Sequence, residues 1–539
     1  MTNDARHIVT LDSTLRDGAQ AEGIALSLAD KLAIARTLDE LGIDLIEGGN
    51  PASNPKDREF FREAASLGLK HAALCAFGAT RRRGASPEED DSLAALLESG
   101  TETVVLFGKC WELHSREILG VTREENREMI RSSCAFLTER GRRVIFDAEH
   151  FFDGCAADPA FAFDMLAAAV EGGAETLCLC DTNGGAFPEE VADAVRETAA
   201  RFPGVSIGVH CHNDAGLAVA GTLAGVSAGA SMVQGTLLGF GERCGNANLC
   251  QVIADLQLKR DFRLIPDCSR LTGAARAVAE ICNVSIKRYE PYIGRSAFAH
   301  KAGMHADAVL KNPASYEQLP PESVGGQRRI LVSEMSGRGA LLYTLRPILG
   351  DLDKNSPETA EIIGRLKELE GRGYQFEGAH ASLELLARRC IGTYRPHFEL
   401  INYRILCTNP HDPDCSAAAM VKVRVGEDEV LRSAEGQGPV HALDKALRLA
   451  LQVFYPQLGA MRLSDYKVRV MDSGAATAAT VRVSITSSDG RREWGTVGVS
   501  QDIIEASFAA LCDSIEYRLG MDDTDITELP AHSSPESRS

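Results

Sequence analysis

Short apolar runs recur roughly every thirty residues from residue 7 to about 237, each followed by a stretch of helical periodicity, and this alternation constrains the chain most. Eight runs are present: His7 to Ser13, Asp44 to Gly48, His71 to Phe77, Thr103 to Phe107, Arg143 to Ala148, Thr176 to Cys180, Ser206 to Val209 and Met232 to Leu237. Strands separated by helices at this spacing are expected to run parallel. Eight units within about 240 residues fit a closed (β/α)8 TIM barrel better than a doubly wound open sheet. Polar side chains follow the runs directly: Arg16 and Asp17, Glu47, Lys109, Glu149, Asp181 and Thr182, His210 and His212, and Glu242 with Asn246. In a barrel these strand ends share one rim, the rim on which active sites are built. Residues 1–265 are therefore read as an α/β catalytic barrel.

The pattern changes twice beyond it. Residues 266–395 are mainly helical and more polar, with a Pro-rich patch at Asn312-Pro313 and Pro320-Pro321, and read as a helical linker or arm. From 396 to 525 strand alternation returns at Ile401 to Cys407 and Met420 to Val425, followed by a helix from Val440 to Phe454. The order then repeats, with strands Tyr466 to Met471 and Thr480 to Ile485, a hairpin turn at Asp489-Gly490, and a helix from Ile503 to Tyr517 preceded by Gly498. A duplicated strand-strand-helix unit of this size predicts a separate α+β domain. Residues 526–539 carry too few apolar groups to fold and read as a disordered tail.

Composition narrows the function classes. With 44% apolar and 25% charged residues in 539, the chain is an ordinary globular protein with more than one core. Its net charge of -19 argues against nucleic acid or an anionic membrane as partner, since both demand basic stripes. Arg81-Arg82-Arg83 is the only basic run; it reads as a solvated loop, with phosphate binding as the alternative. Fifteen cysteines, several inside apolar runs, fit buried free thiols in a reducing compartment. Without a window apolar enough to span a bilayer, or an apolar leader after Met1, the expected location is the cytoplasm.

The chemistry concentrates in three motifs. His210-Cys211-His212 ends the seventh run, and residues i and i+2 of a strand face the same way, so both imidazoles can converge on one divalent ion while Cys211 points away. Asp17, just after the first run, supplies a carboxylate for the same ion; a loop salt bridge with Arg16 is the alternative use of that pair. Asn246 follows the eighth run, the neighbour of both, and completes a mixed oxygen and imidazole set that suits Mn²⁺, Mg²⁺, Co²⁺ or Zn²⁺. Lys109 could bind a substrate carboxylate or pair with Glu112.

Arg16-Asp17-Gly-x-Gln20, His210-x-His212-Asn213-Asp214 and Gly241-Glu242-Arg243-x-Gly245-Asn246 resemble the signatures of the metal-dependent TIM-barrel acyl-CoA condensing enzymes, the isopropylmalate, homocitrate and citramalate synthases. Ile46-Glu47-Gly48-Gly49, Phe107-Gly108-Lys109, Asp147 to Gly154 and Asp181-Thr182-Asn183-Gly184-Gly185 look most like the citramalate branch, from which Asn50 and Cys211 depart. The resemblance spans nearly the whole chain and implies a condensation of acetyl-CoA with a 2-oxo acid. Pyruvate is the acceptor in the citramalate branch and 2-oxoisovalerate in the isopropylmalate alternative. It implies metal ligands Asp17, His210, His212 and Asn246, with Mn²⁺ or Mg²⁺ first among the candidates. It further implies that Arg16 stabilises charge on the ketone oxygen, that Glu149 serves acid-base steps or holds the water that later hydrolyses the thioester, and that Thr182 binds the substrate carboxylate. His305, in Ala302-Gly303-Met304-His305-Ala306-Asp307, matches an arm histidine that reaches the partner subunit's active site, with Tyr316 as a weaker candidate; on the residues alone His305 reads as a surface histidine. The C-terminal domain resembles an allosteric dimer domain, which implies a homodimer with arm exchange and an isoleucine effector near Gly474, Gly498 and Ile504.

Overall fold

The computed structural model describes residues 5–301, 303–331, 338–350, 353, 355–412, 415–471, 479–490 and 492–527. These form two compact units, one built on residues up to 298 together with 318–328, the other on 299–317 and from 329 onward.

The first unit is a closed barrel of eight strands, β1 (Val9–Asp12), β2 (Leu45–Glu47), β3 (Ala73–Ala79), β4 (Thr103–Lys109), β5 (Arg143–Glu149), β6 (Thr176–Asp181), β7 (Ser206–Cys211) and β8 (Met232–Gly235). Every neighbouring pair is parallel, and β8 closes on β1 with Val9 opposite Met232. The strands are apolar on both faces because each face is covered. On β5, Val144 and Phe146 join the layer between barrel and helices while Ile145 faces the interior with Leu11, Cys75, Val105, Cys178 and Met232. The same alternation turns Asp147 and Glu149 inward and upward. Strand period thus decides which side chains reach the mouth.

The helix Leu28–Leu41 shows how local signals set the surrounding elements. Ser27 and Asp30 form a reciprocal capping box at its start, and Gly42 ends it in the left-handed region at φ 94. Helix Leu271–Ile281 packs against it, and Thr272 donates to Val324 O at 2.5 Å. Residues 266–298 and 318–328 therefore belong to the barrel unit rather than to an arm beginning at 266. Their buried positions, Leu271, Ala275, Val278 and Val324, were read as part of a polar helical segment because that segment's average composition hides them.

In the second unit, helices Arg338–Leu349, Pro357–Gly371 and His380–Cys390 share an apolar core around Leu341, Leu345, Ile362 and Leu383. Two antiparallel sheets follow. Strands β9 (Glu399–Asp412), β10 (Cys415–Val425) and β11 (Asp428–Gly436) carry helix Pro439–Leu451 on one face. Strands β12 (Arg462–Val470), β13 (Val481–Ser488) and β14 (Glu493–Ser500) carry helix Ile503–Thr527. The duplication holds, and each repeat has a third strand. β11 is almost wholly exposed and polar, so it lacks alternation, and β14 contains Gly495 and Gly498. The last helix runs into the first two residues assigned to the tail; 528–539 lie outside the described residues. Among the described residues no helix is long and apolar enough to cross a membrane.

Candidate active site

Alternation along β7 sends Val209 and Cys211 into the apolar layer and His210 into the barrel, with His212 one step beyond the strand end. The two imidazole rings lie 5.0 Å apart at 61°. A tight turn after β1 delivers the carboxylate: Arg16 N and Gly18 N donate to Ser13 O at 3.1 and 3.0 Å, and Asp17 N donates to Ser13 Oγ at 3.2 Å. Asp17 Oδ2 then stands 3.8 Å from His212 Nε2. Asp17, His210 and His212 are all buried, and each offers a ligand atom within 4.8 Å of the others.

Asn246 arrives by backbone pairing. His212 and Asn246 form an antiparallel bridge, Ala247 N donates to Cys211 O at 3.0 Å, and Asn213 N donates to Gly245 O at 2.8 Å. The Asn246 amide nitrogen donates to Asp17 Oδ1 at 2.8 Å and to Phe240 O at 3.0 Å. Its Oδ1 is buried with no hydrogen-bond partner among the described residues, as are Nδ1 of His210 and of His212. Orphaned buried acceptors are costly unless something else binds them. The loop that carries Asn246 tolerates only glycine at its closest point: a Cβ on Gly241 would lie 2.0 Å from Asn246 Nδ2 and 2.9 Å from Asp17 Oδ1.

Charge favours the same reading. Burial, aided by His212 and opposed by Asp17, pushes His210 down to about 3, and burial also lowers His212. Burial works against ionisation of Asp17, but Arg16, then the two histidines and the Asn246 amide, outweigh it and hold the carboxyl well below the usual range. Two neutral imidazoles, an ionised carboxylate and an unpartnered amide oxygen make a donor set that fits a divalent cation of the Mn²⁺ or Mg²⁺ kind, with Co²⁺ and Zn²⁺ also compatible.

Arg16 extends its guanidinium beside this cluster. Nε donates to Glu47 Oε2 at 2.7 Å, Nη1 donates to Asp17 Oδ2 at 2.7 Å, and the group lies 3.9 Å from the Phe77 ring centroid. Phe77 stacks on Phe107 at 5.0 Å and 15°. Glu47 is fully buried and also accepts from the Ser13 hydroxyl. Lys109 pairs with Glu149 across β4 and β5 rather than with Glu112, because Lys109 and Glu149 stand opposite one another in register. Thr182 Oγ1 accepts from His150 N at 2.8 Å. Arg16, Asp17, Glu149, Thr182, His210 and His212 all line one cavity of about 280 Å³.

Four contributors are not legible as site residues in the sequence. Glu47 ends an apolar run and so carried the signal, but nothing in the run says that it grips Arg16. Phe77 and Phe107 read simply as strand residues. His150 takes φ 59, a left-handed conformation that a non-glycine side chain rarely adopts and that no sequence pattern announces.

His305 and Tyr316 belong to the second unit, where their exposed rings stack at 4.2 Å and 28°. Asp307, beside them, accepts from Lys311 at 2.6 Å. Gly474 lies outside the described residues. Gly498 sits within β14, where a Cβ would stand 2.0 Å from Ala506 O, so its bareness admits the final helix; Ile504 is half-buried on that helix. Arg82 pairs with Asp90 and Asp91 and is largely exposed, as a solvated loop would be.

Residues 7–278 match the HMGL-like family model, 292–373 the homocitrate synthase post-HMGL domain-like model, and 377–519 the LeuA allosteric (dimerisation) domain. An (R)-citramalate synthase of Aquifex aeolicus is 47% identical over 522 residues, covering 96% of this chain and 99% of its own. The chain belongs to the (R)-citramalate synthase family. Two further (R)-citramalate synthases, from Synechocystis sp. and Geobacter sulfurreducens, are 48% and 46% identical, covering 97% and 94% of this chain and 98% and 97% of theirs. The match to the (R)-citramalate synthase family runs through both units, so a lyase built on the barrel alone leaves the second unit unexplained.

Proposed function

We propose that this chain condenses acetyl-CoA with pyruvate and water to give (R)-citramalate and CoA, in the biosynthesis of isoleucine. The observation that carries the reading is the buried Asp17, His210 and His212 cluster with the orphaned Asn246 oxygen beside Arg16, in a chain 47% identical to an (R)-citramalate synthase over 96% of its length. A divalent cation held by those four residues would supply Lewis acidity to the 2-oxo acid.

The chain's own groups account for the rest. The acceptor ketone gains negative charge as the carbon-carbon bond forms, and Arg16, preorganised by Glu47 and Asp17, faces that change without rearranging. Thr182 already accepts from His150, which leaves its hydroxyl proton to donate to the pyruvate carboxylate. The stacked Phe77 and Phe107 rings present an apolar wall beside Arg16, suited to a methyl group and restrictive toward the isopropyl group of 2-oxoisovalerate. Glu149, partnered by Lys109, serves acid-base steps and holds the water that cleaves the thioester. His305 removes the acetyl methyl proton, reaching the barrel of a second copy, with Tyr316 stacked on it. The dimerisation-domain match supports a homodimer, and isoleucine is the proposed effector of that domain. The proposed location is the cytoplasm.

Purified protein with Mn²⁺ should release free thiol from acetyl-CoA on addition of pyruvate, with a higher kcat/KM than for 2-oxoisovalerate. Release of no thiol with any 2-oxo acid sinks the reading. Mixing inactive His305→Ala and Arg16→Ala proteins should restore about a quarter of wild-type activity if arms are exchanged, since half the dimers then hold one intact site.

A further inference from the structure

Beside the catalytic cluster the barrel interior contains a second group of donors to which the proposed condensation assigns no role. Asp147 on β5 stands opposite Cys178 on β6, and Cys180 lies two residues further along β6 on the same inward face. Their carboxylate oxygen and two Sγ atoms lie within 4.8 Å of one another. All three residues are buried, and neither thiol is in a disulfide.

We propose that Asp147, Cys178 and Cys180 form a site for a thiophilic cation of the Zn²⁺ or Cd²⁺ class, whose occupation inhibits the enzyme. Only the inhibition rests on the proposed condensation; binding stands without it. Soft sulfur donors favour such cations, whereas the imidazole, carboxylate and amide set above also accepts harder ones, so it is sulfur ligation that distinguishes occupation of this site from occupation of the upper cluster. Asp147 is 4% exposed, and its Oδ1 has no hydrogen-bond partner among the described residues. Its Oδ2 receives a 3.4 Å contact from Gln234 Nε2, while Cys178 Sγ donates to Gln234 Oε1 at 3.2 Å and also interacts with the Asp147 carboxyl. Those weak bonds are what a cation would displace. Gly208 pairs with Cys178 from the far side, so no Cβ crowds the thiol there.

Entry is through the mouth, since Asp147 and Cys180 line the catalytic cavity. Binding replaces two S–H bonds by two metal–sulfur bonds and releases those two protons to solvent, together with the proton that the Asp147 carboxyl, pushed up to about 7 by burial, carries in the protonated fraction, with no redox change. Burial holds both thiols protonated at neutral pH and so weakens binding, which makes the site one that fills under excess cation rather than a resident centre. Drawing Cys180 toward a cation displaces a cavity wall two residues before Thr182, and it fixes the charge of Asp147, whose field Arg16 feels. Both changes fall on the groups that orient the acceptor.

The test uses the full-length protein saturated with Mg²⁺ and titrated with Cd²⁺. Sulfur-to-metal charge-transfer absorption should grow as thiol release from acetyl-CoA falls, and X-ray absorption at cadmium should count two sulfur neighbours with at least one oxygen. Cys178→Ser, whose side chain does not line the cavity, should keep basal activity and bind Cd²⁺ about tenfold more weakly or worse. Cys244→Ser with Cys407→Ser, which removes the thiols that are exposed among the described residues, should leave the absorption in place. Fewer than two sulfur neighbours in the wild type, or inhibition of Cys178→Ser at the wild-type Cd²⁺ concentration, overturns the proposal. A wild type with the absorption but no thiol release from acetyl-CoA would instead refute the condensation and leave the cation site standing.

Discussion

The backbone N–H of His150 donates to Thr182 Oγ1 at 2.8 Å from a left-handed residue, φ 59 and ψ 32. That conformation lets β5 end in Glu149 and turn at once into helix Phe151–Ala157, so one strained residue sets both the carboxylate and the hydroxyl. The strain costs about 1–2 kcal/mol and is held by packing of the ring against His114 at 4.0 Å and Trp111 at 5.7 Å. His150→Gly keeps the backbone accessible, whereas a β-branched side chain opposes it. His150→Val should raise the KM for pyruvate about tenfold or more while the KM for acetyl-CoA stays within about twofold, and His150→Gly should lie nearer wild type. Equal KM values for pyruvate in the two variants would show that the left-handed backbone has no part in binding.

Glu47 offers a second separation of roles. It is fully buried, with Oε2 on Arg16 Nε at 2.7 Å. Glu47→Gln preserves shape but takes away the charge that balances Arg16, leaving a buried guanidinium short of one partner. The kcat should fall about a hundredfold, with Mn²⁺ affinity nearly unchanged because Asp17 and both histidines remain. Parallel loss of Mn²⁺ binding and kcat would place Glu47 in the support of the ligands instead of Arg16.

The proposed metal set is tested by the glycine that admits Asn246 to it. Gly241→Ala puts a methyl group where Asn246 Nδ2 lies 2.0 Å away, so the amide must leave Asp17. Mn²⁺ affinity, followed by electron paramagnetic resonance, should drop about 10–100-fold in Gly241→Ala and further in His212→Ala, with both proteins retaining barrel circular dichroism. Unaltered Mn²⁺ binding in His212→Ala would remove the cluster from consideration as the metal centre.

These residues also show where sequence ceases to be readable. The recurrence of eight short apolar runs about every thirty residues carries the barrel, and strand parity then places His210, Asp147 and Glu149 on the inner face. Asp17 and Asn246 follow because loops after adjacent strands share one rim. Glu47 was visible as a polar end, yet its grip on Arg16 depends on a side chain crossing between strand ends, which parity does not encode. His150 was hidden because left-handed backbone at a non-glycine residue is imposed by surrounding contacts. β11 is hidden for the opposite reason: in Asp428 to Gly436 only Val430 and Ala434 on one face meet the core, too weak an alternation to stand out, and pairing with β10 completes the strand. Helix Leu271–Ile281 was assigned to the arm because burial against Leu28–Leu41 is a long-range fact.

Asp12 gives the fold a pH dependence separate from the proposed metal ligands. Its side chain is fully buried at the end of β1, where Oδ1 accepts from Thr14 N at 2.8 Å and Oδ2 has no partner among the described residues. Burial, resisted by the Thr14 hydrogen bonds and reinforced by Glu47, pushes its pKa up to about 7 from 3.8. The folded chain thus holds a proton that the unfolded chain has lost, and the unfolded state binds fewer protons throughout that interval. Stability from this group is complete below about pH 4, falls by about 1.4 kcal/mol for each pH unit as pH rises toward 7, and is flat above. Asn at this position cannot ionise and lacks that slope. Between about pH 5 and about pH 7.5 the melting temperature of wild type should therefore decline relative to that of Asp12→Asn, the gap widening toward the alkaline end. Taking the difference between the two proteins at each pH cancels the other titrating groups they share. A constant difference across that range would mean that Asp12 is ionised in the folded barrel, with an unseen partner on Oδ2.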